Sequence, residues 1–186
     1  MIRVVTLEPF EDADIDALCK LLFQAYGLGC ERAGKLPLPE EALVPGGKGA
    51  YDANLLLEEA ESVKLVADDR LLYVMRKPLV QPEGPLGAPP THGLAQFGGQ
   101  RAVVTTPLFP KGLVEGGDDE TSGPFRKRLA KQAVREIGRT WELHTCIDPK
   151  CSMHPSWSAA FEANVEPILC AFCREKSEEA IRLAKT

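Results

Sequence analysis

The chain of 186 residues contains no apolar run approaching the roughly eighteen residues that a membrane-spanning helix needs. Its start passes from a short apolar stretch directly into acidic residues (Glu8, Glu11, Asp12, Asp14), without the apolar core of a secretory leader. A cytoplasmic location is therefore expected, where disulfides are unusual. Positive charge is in deficit: 22 Lys and Arg face 27 Asp and Glu, a formal net charge of −5. That balance argues against general nucleic-acid binding, which needs basic surface to displace counterions. Histidine is scarce, with three residues in all, and His92, His144 and His154 lack the mutual spacing that would bring imidazoles onto one metal. The remaining composition, 44% apolar and 26% charged, suits one domain able to bury a sizeable core.

Cysteine carries the clearest pattern. Cys146 and Cys151 enclose four residues, and Cys170 and Cys173 form a CxxC pair. Two close pairs can bring four thiolates from two short loops onto a tetrahedral zinc, closed to chemistry because no position stays open. A redox CxxC would follow a strand in a βαβ pattern, which is absent near Cys170. Four unrelated core cysteines is the plainer alternative. A zinc ribbon for nucleic acid is disfavoured, since the segment between Cys151 and Cys170 has acidic residues and no Lys or Arg. Asp148, Pro149 and Lys150 read as turn formers. Cys19 lies on an apolar helical face with Ile15, Leu18 and Leu22 and reads as a small core residue.

Immediately before this array, Pro124 opens an amphipathic helix. Leu129, Ala130, Ala133, Val134, Ile137 and Trp141 share one face, and Arg128, Gln132, Arg135 and Arg139 share another. Arg135, Glu136 and Arg139 stand at the spacing at which a zinc peptidase has His, Glu and His. A guanidinium is always protonated and has no lone pair for a metal. The two arginines read either as a solvated helix face paired with Glu136 and Glu142, or as an anion pocket.

These residues resemble the archaemetzincins, a metzincin-type family of zinc metallopeptidases. The family pattern is HExxHxxGxxHC, four residues, CxM, and a closing CxxC. Cys146, Cys151, Met153, Cys170 and Cys173 match its second half. In the first half Arg135, Arg139 and Thr145 stand at the three His positions and Glu142 at the Gly, while Glu136 keeps the general-base position. A Glu at a glycine position of positive φ is costly, so the helix is expected to stop a residue or two later. His144 lies one residue ahead of the third ligand position. The segment GLAQFGGQRAVVTT (93–106) is similar to the family's edge-strand segment, and 48–57, with Tyr51, more weakly to another.

Along the chain, Ile2 to Leu7 reads as a buried strand. A helix capped by Asp12 or Asp14 then runs to about Tyr26, ended by Gly27 and Gly29. Prolines and glycines between 37 and 49 mark a loop. A helix over Tyr51 to Ser62 and strands at Val63 to Ala67 and Leu71 to Met75 follow. Gln81 to Pro90 reads as an exposed insertion. Leu94 to Phe97 and Ala102 to Thr106 form a hairpin across Gly98 and Gly99, and Glu115 to Gly123 is a loop. The last helix is expected over Ser177 to Ala184, with Ser177 as cap.

The resemblance implies an α/β, metzincin-like fold: a twisted mixed sheet, mostly parallel with an antiparallel edge, backing helices, the site-bearing helix, and a small zinc-tied C-terminal subdomain. One domain is expected over 1–186, with an N-terminal subdomain 1–142 and a C-terminal one 143–186. It also implies a zinc metallopeptidase homologue with little or no peptidase activity. Such a chain keeps one structural zinc on Cys146, Cys151, Cys170 and Cys173, a Glu136 without a catalytic role, and a cleft for an extended peptide. An acidic side chain or a peptide C-terminus would meet Arg135 and Arg139. The rival readings are an active metalloprotease with unorthodox ligands and a pure interaction protein.

Overall fold

The computed structural model describes residues 1–81, 89–109, 123–156, 158, 164 and 166–185. In chain order its elements are β1 (Ile2–Thr6), α1 (Asp12–Tyr26), β2 (Cys30–Lys35), β3 (Tyr51–Asp52), α2 (Ala53–Glu59), β4 (Arg70–Met75), β5 (Leu79–Val80), β6 (Gly93–Ala95), β7 (Arg101–Thr105), α3 (Pro124–Thr140) and α4 (Ala171–Leu183). Five strands make the main sheet, in the order β2-β1-β4-β7-β6. Neighbours pair in parallel except β6, which lies antiparallel on β7 with Leu94 opposite Val103. The small β3-β5 pair stands apart.

Every residue of β4 is buried, as expected of a central strand covered on both faces. On one face, Val4, Leu72, Val74, Ala102 and Val104 meet the apolar sides of α1 and α3. On the other, Val5, Tyr73 and Val103 meet Leu56 and Leu57 of α2. Leu143, Cys151, Met153, Leu169, Cys173 and Ile181 belong to the same core as α1 and α3. The C-terminal stretch is thereby packed directly beneath the site-bearing helix. The mixed sheet with its antiparallel edge agrees with the expected fold class.

Several local expectations need correction. Val63 to Ala67 forms no strand: Val63 ends a short turn of helix, Ala60–Ser62, and β-branched composition alone does not supply a pairing partner. The strand β2 was not expected, because CERAGK has no apolar face; it is an edge strand whose residues after Cys30 are exposed. Neither Asp12 nor Asp14 caps α1. Glu11 holds the cap position without a side-chain bond, and Asp14 is buried on Arg126 at 2.8 Å. The next helix starts at Ala53, with the Asp52 carboxylate accepting from the Asn54 and Leu55 N–H groups. The last helix begins six residues before Ser177, which lies buried mid-helix with its hydroxyl donating to the Arg174 carbonyl. Most of the expected insertion at Gln81 to Pro90, and the loop at Glu115 to Gly123 apart from Gly123, lie outside the described residues.

Candidate functional site

The helix α3 is fixed along its whole length. Its first turn is tied to α1 by the buried Arg126–Asp14 pair. Its middle is tied by the Tyr26 hydroxyl, which donates to the Val134 carbonyl at 2.5 Å. At its end, Arg70 of β4 donates to the Thr140 hydroxyl at 3.0 Å and lies 3.2 Å over the Trp141 ring. Burial pulls the Arg70 guanidinium down to a pKa of about 10, against the neighbouring Asp68 and Asp69. Gly138 sits where side chains crowd the helix: a Cβ there would fall 2.6 Å from Met153 Sδ and 2.9 Å from the Tyr26 hydroxyl oxygen. Met153 thus lies directly beneath α3, as an apolar floor.

The helix does not stop a residue or two later, as expected from a Glu at this position: it ends at Thr140. Glu142 itself adopts φ 60°, its N–H donating to the Arg139 carbonyl and the Leu143 N–H to the Gly138 carbonyl. This is the paired bonding of a left-handed helix terminus that glycine usually occupies. A Glu there costs about 1–2 kcal/mol, and the surrounding anchors at Thr140 and Trp141 hold it.

Glu136 is fully buried, at 0% exposure. Its carboxylate accepts from the Gln132 amide at 2.8 Å and from Arg135 Nη1 at 2.5 Å, and Arg139 Nε stands 3.9 Å away. Arg135 is no solvated side chain: it is 7% exposed. Burial lowers its pKa, Glu136 opposes that shift, and Arg139 adds to it. The Arg139 side chain keeps 32% of its surface exposed. Both guanidinium groups therefore converge on one carboxylate, Arg135 from inside and Arg139 from the rim.

Strand β6 lies against this cluster. A Cβ on Gly93 would come within 3.0 Å of Glu136 Cγ and 2.6 Å of the Val103 carbonyl, so only glycine lets the strand approach so closely. The Thr105 N–H donates to His92 and the Gln96 N–H to Arg101, so by antiparallel alternation Gly93 and Ala95 face outward from the sheet. Thr91 Oγ1 donates to the Gly93 carbonyl. Beyond β6, exposed Phe97 lies against His144, ring centroids 4.9 Å apart, and the Gly98 N–H donates to the Arg139 carbonyl. His144 and Thr145 are exposed. His154 meets the Ser158 hydroxyl at 2.9 Å, and His92 stacks on Phe109. An apolar groove of about 790 Å³ runs between the 141–148 segment and α4, with Leu143, His144, Ile147, Phe172 and Leu183 on its walls. Arg135, Glu136 and Arg139 do not line it.

The four cysteines come together as the spacing implied. Their Sγ atoms all lie within 4.8 Å of one another. The Cys146–Cys170 separation is 3.8 Å, close to the edge of a tetrahedron with metal–sulfur bonds of about 2.3 Å. Backbone N–H groups point at the sulfurs: Asp148 at Cys146, Met153 and Cys170 at Cys151, Cys173 at Cys170, all at 3.4–3.5 Å. Such donors favour thiolates. Burial, with the neighbouring sulfurs adding to it, pushes Cys151 up to about 11 against the Cys170 and Met153 N–H groups, and pushes Cys173 up as well, whereas at Cys170 the Cys173 N–H and neighbouring thiols outweigh burial and lower the pKa. Four sulfurs at tetrahedral spacing with amide donors around them fit a zinc ion, which would supply structural cross-linking rather than an open coordination site. Asp148 and Lys150 form the turn, the Lys150 N–H donating to the Asp148 carboxylate.

Sequence reasoning did not find Gln132 as a partner of Glu136, the Arg70–Trp141 contact, or Phe97 beside His144. These are contacts between distant segments with no local signal; only the Gly-rich 93–99 stretch hinted at a close approach.

No family model matches the chain. A curated protein named archaemetzincin, from Natronomonas pharaonis, is 26% identical over 146 residues, covering 75% of this chain and 78% of that protein. The crystal structure of archaemetzincin from Methanopyrus kandleri superposes with a TM-score of 0.76 at 22% identity, over 97% of this chain and 94% of that one. That of a zinc-dependent peptidase from Methanocorpusculum labreanum superposes with a TM-score of 0.77 at 18% identity, over 95% and 100%. The chain is thus similar in sequence to proteins named archaemetzincin and has the fold of their crystal structures.

Proposed function

We propose that the chain binds an extended peptide or protein segment beside α3 and has lost most or all of the hydrolytic chemistry of a zinc peptidase. One observation carries the reading: at the helical positions where the family pattern has His, Glu and His, two guanidinium groups close on a buried carboxylate. Arg135 and Arg139 offer no lone pair to a metal and oppose a dication. Glu136, already held by Arg135 and Gln132, has no activated water to deprotonate, so a general-base role fails for want of a partner.

The binding role rests on β6. It ends the sheet, and Ala95 faces outward, so a peptide can add as a further strand. Arg139, on the rim, would meet an acidic side chain or a peptide C-terminus through its planar fork. The apolar groove beyond His144 can take a hydrophobic residue of the same segment. The four cysteines hold one zinc that ties the C-terminal stretch beneath α3.

Two measurements test this. Purified protein is assayed for zinc content and for hydrolysis of a peptide library; one zinc per chain and no zinc-dependent cleavage are expected. Acidic peptides are then titrated against wild type and Arg139→Ala, chosen because Arg135 also balances the charge of Glu136. Binding that weakens in the variant and with rising salt is expected. Equal affinity in both proteins would remove the anion role of Arg139. Zinc-dependent cleavage abolished by Glu136→Gln would establish the active-enzyme reading instead.

A further inference from the structure

Two cysteines outside the zinc cluster meet on the far side of α1. Cys19 lies on α1 and Cys30 begins β2, the edge strand opposite β6. They are packed against the core without being enclosed by it, and both thiols are free. The two sulfurs stand 2.7 Å apart, closer than two unbonded thiols rest and less than an ångström from a disulfide bond of about 2.05 Å. A surface pocket of about 750 Å³ opens onto both sulfurs, with Asp16, Lys20, Phe23 and Arg32 on its walls. Cys19 is therefore more than the small core residue its helical face suggests.

We propose that Cys19 and Cys30 form a thiol–disulfide exchange site whose co-substrate is a low-molecular-weight disulfide bound in this pocket. The contact and its surroundings assign the roles. Sharing of a proton between the two sulfurs outweighs burial and holds the Cys19 thiol below its ordinary pKa, with Asp16 opposing and Arg32 helping, while the same sharing and burial hold Cys30 well above. Arg32 is kept beside the pair by Asp12 at 2.6 Å and Asp16 at 3.3 Å. The Cys19 thiolate attacks one sulfur of the small disulfide and expels a thiolate, leaving a mixed disulfide. Cys30 then loses its proton to the expelled thiolate, and its sulfur attacks Cys19 Sγ and expels the second thiolate. The protein dithiol is oxidised by two electrons, and the small disulfide is reduced to two thiols. The product bond fastens β2 to α1.

The test uses the full chain loaded with zinc, so that the cluster cysteines are protected, and oxidised glutathione as the probe. Trypsin separates the two residues onto peptides 4–20 and 21–32, so mapping under non-reducing conditions identifies the bond directly. Wild type is expected to lose two hydrogens and to yield the crosslinked peptides, with dithiothreitol reversing both. Cys30→Ser is expected to accumulate one glutathione on Cys19. Cys19→Ser should take up glutathione at Cys30 roughly tenfold more slowly or worse. The proposal is overturned if wild type keeps both thiols while the zinc-cluster cysteines oxidise, or if the two single variants react at equal rates.

Discussion

Arg135 and Glu136 are neighbours in sequence whose side chains meet at 2.5 Å in a space nearly closed to solvent, so neither charge can be removed alone without cost. Glu136→Gln leaves the Arg135 guanidinium buried without its counter-charge, and a stability loss of about 3 kcal/mol is expected, read by urea unfolding. Neither wild type nor variant should cleave peptide, whereas a general base would show as wild-type cleavage that the variant loses. Gly138 makes a second case. A methyl group there meets Met153, which is buried, and the Tyr26 hydroxyl, which is fixed on Val134. Gly138→Ala, a change that would favour an isolated helix, is therefore expected to destabilise by about 1–3 kcal/mol. An unchanged or raised midpoint in thermal unfolding would show that Met153 moves aside freely. At this scale the sequence was legible wherever chemistry depends on spacing along the chain, as with the four cysteines. It was silent on Arg135, because burial of an arginine is decided by segments distant in the sequence that pack around it.

The elements divide in the same way. Strand β4 and the β6–β7 hairpin were readable because their alternation and apolar runs are their own. β2 was not, since an edge strand half in solvent needs no apolar pattern and takes its register from β1. The start of α4 was hidden for another reason: Cys170 caps it, its sulfur accepting from the Cys173 N–H, so a metal-ligand motif doubles as a helix start and Ser177 falls inside. The edge strand β6 yields a prediction of its own. Proline is tolerated on an edge strand where the N–H faces away from the sheet, as alternation places that of Ala95. Ala95→Pro should fold normally by circular dichroism and bind peptide roughly 3–10-fold more weakly, the loss of one hydrogen bond. Unaltered affinity would mean that the peptide does not add to this strand.

Across the whole molecule, the cysteine cluster and the site-bearing helix share one core. Cys151 and Cys173 are packed with Met153 and Leu169 against α1 and α3, so a zinc held by the cluster is coupled to the stability of the entire chain rather than to a detached tail. A ligand that binds only the folded state, present at a thousand times its dissociation constant, adds about 4 kcal/mol. For a chain of this length each kcal/mol moves the unfolding midpoint by about 2–4 °C, so removing zinc with a strong chelator should lower it by roughly 8–16 °C. Cys170→Ser isolates the metal from the helix cap, because serine is a good N-cap and can replace the cysteine's bond to the Cys173 N–H while giving up the thiolate. The variant should therefore behave like the chelated wild type, and chelator should shift it little further. A wild type that loses two zinc ions per chain on chelation would place a second metal elsewhere, with the 135–145 segment the first to examine. A wild type whose midpoint does not respond to chelation would leave the cysteines as core residues alone.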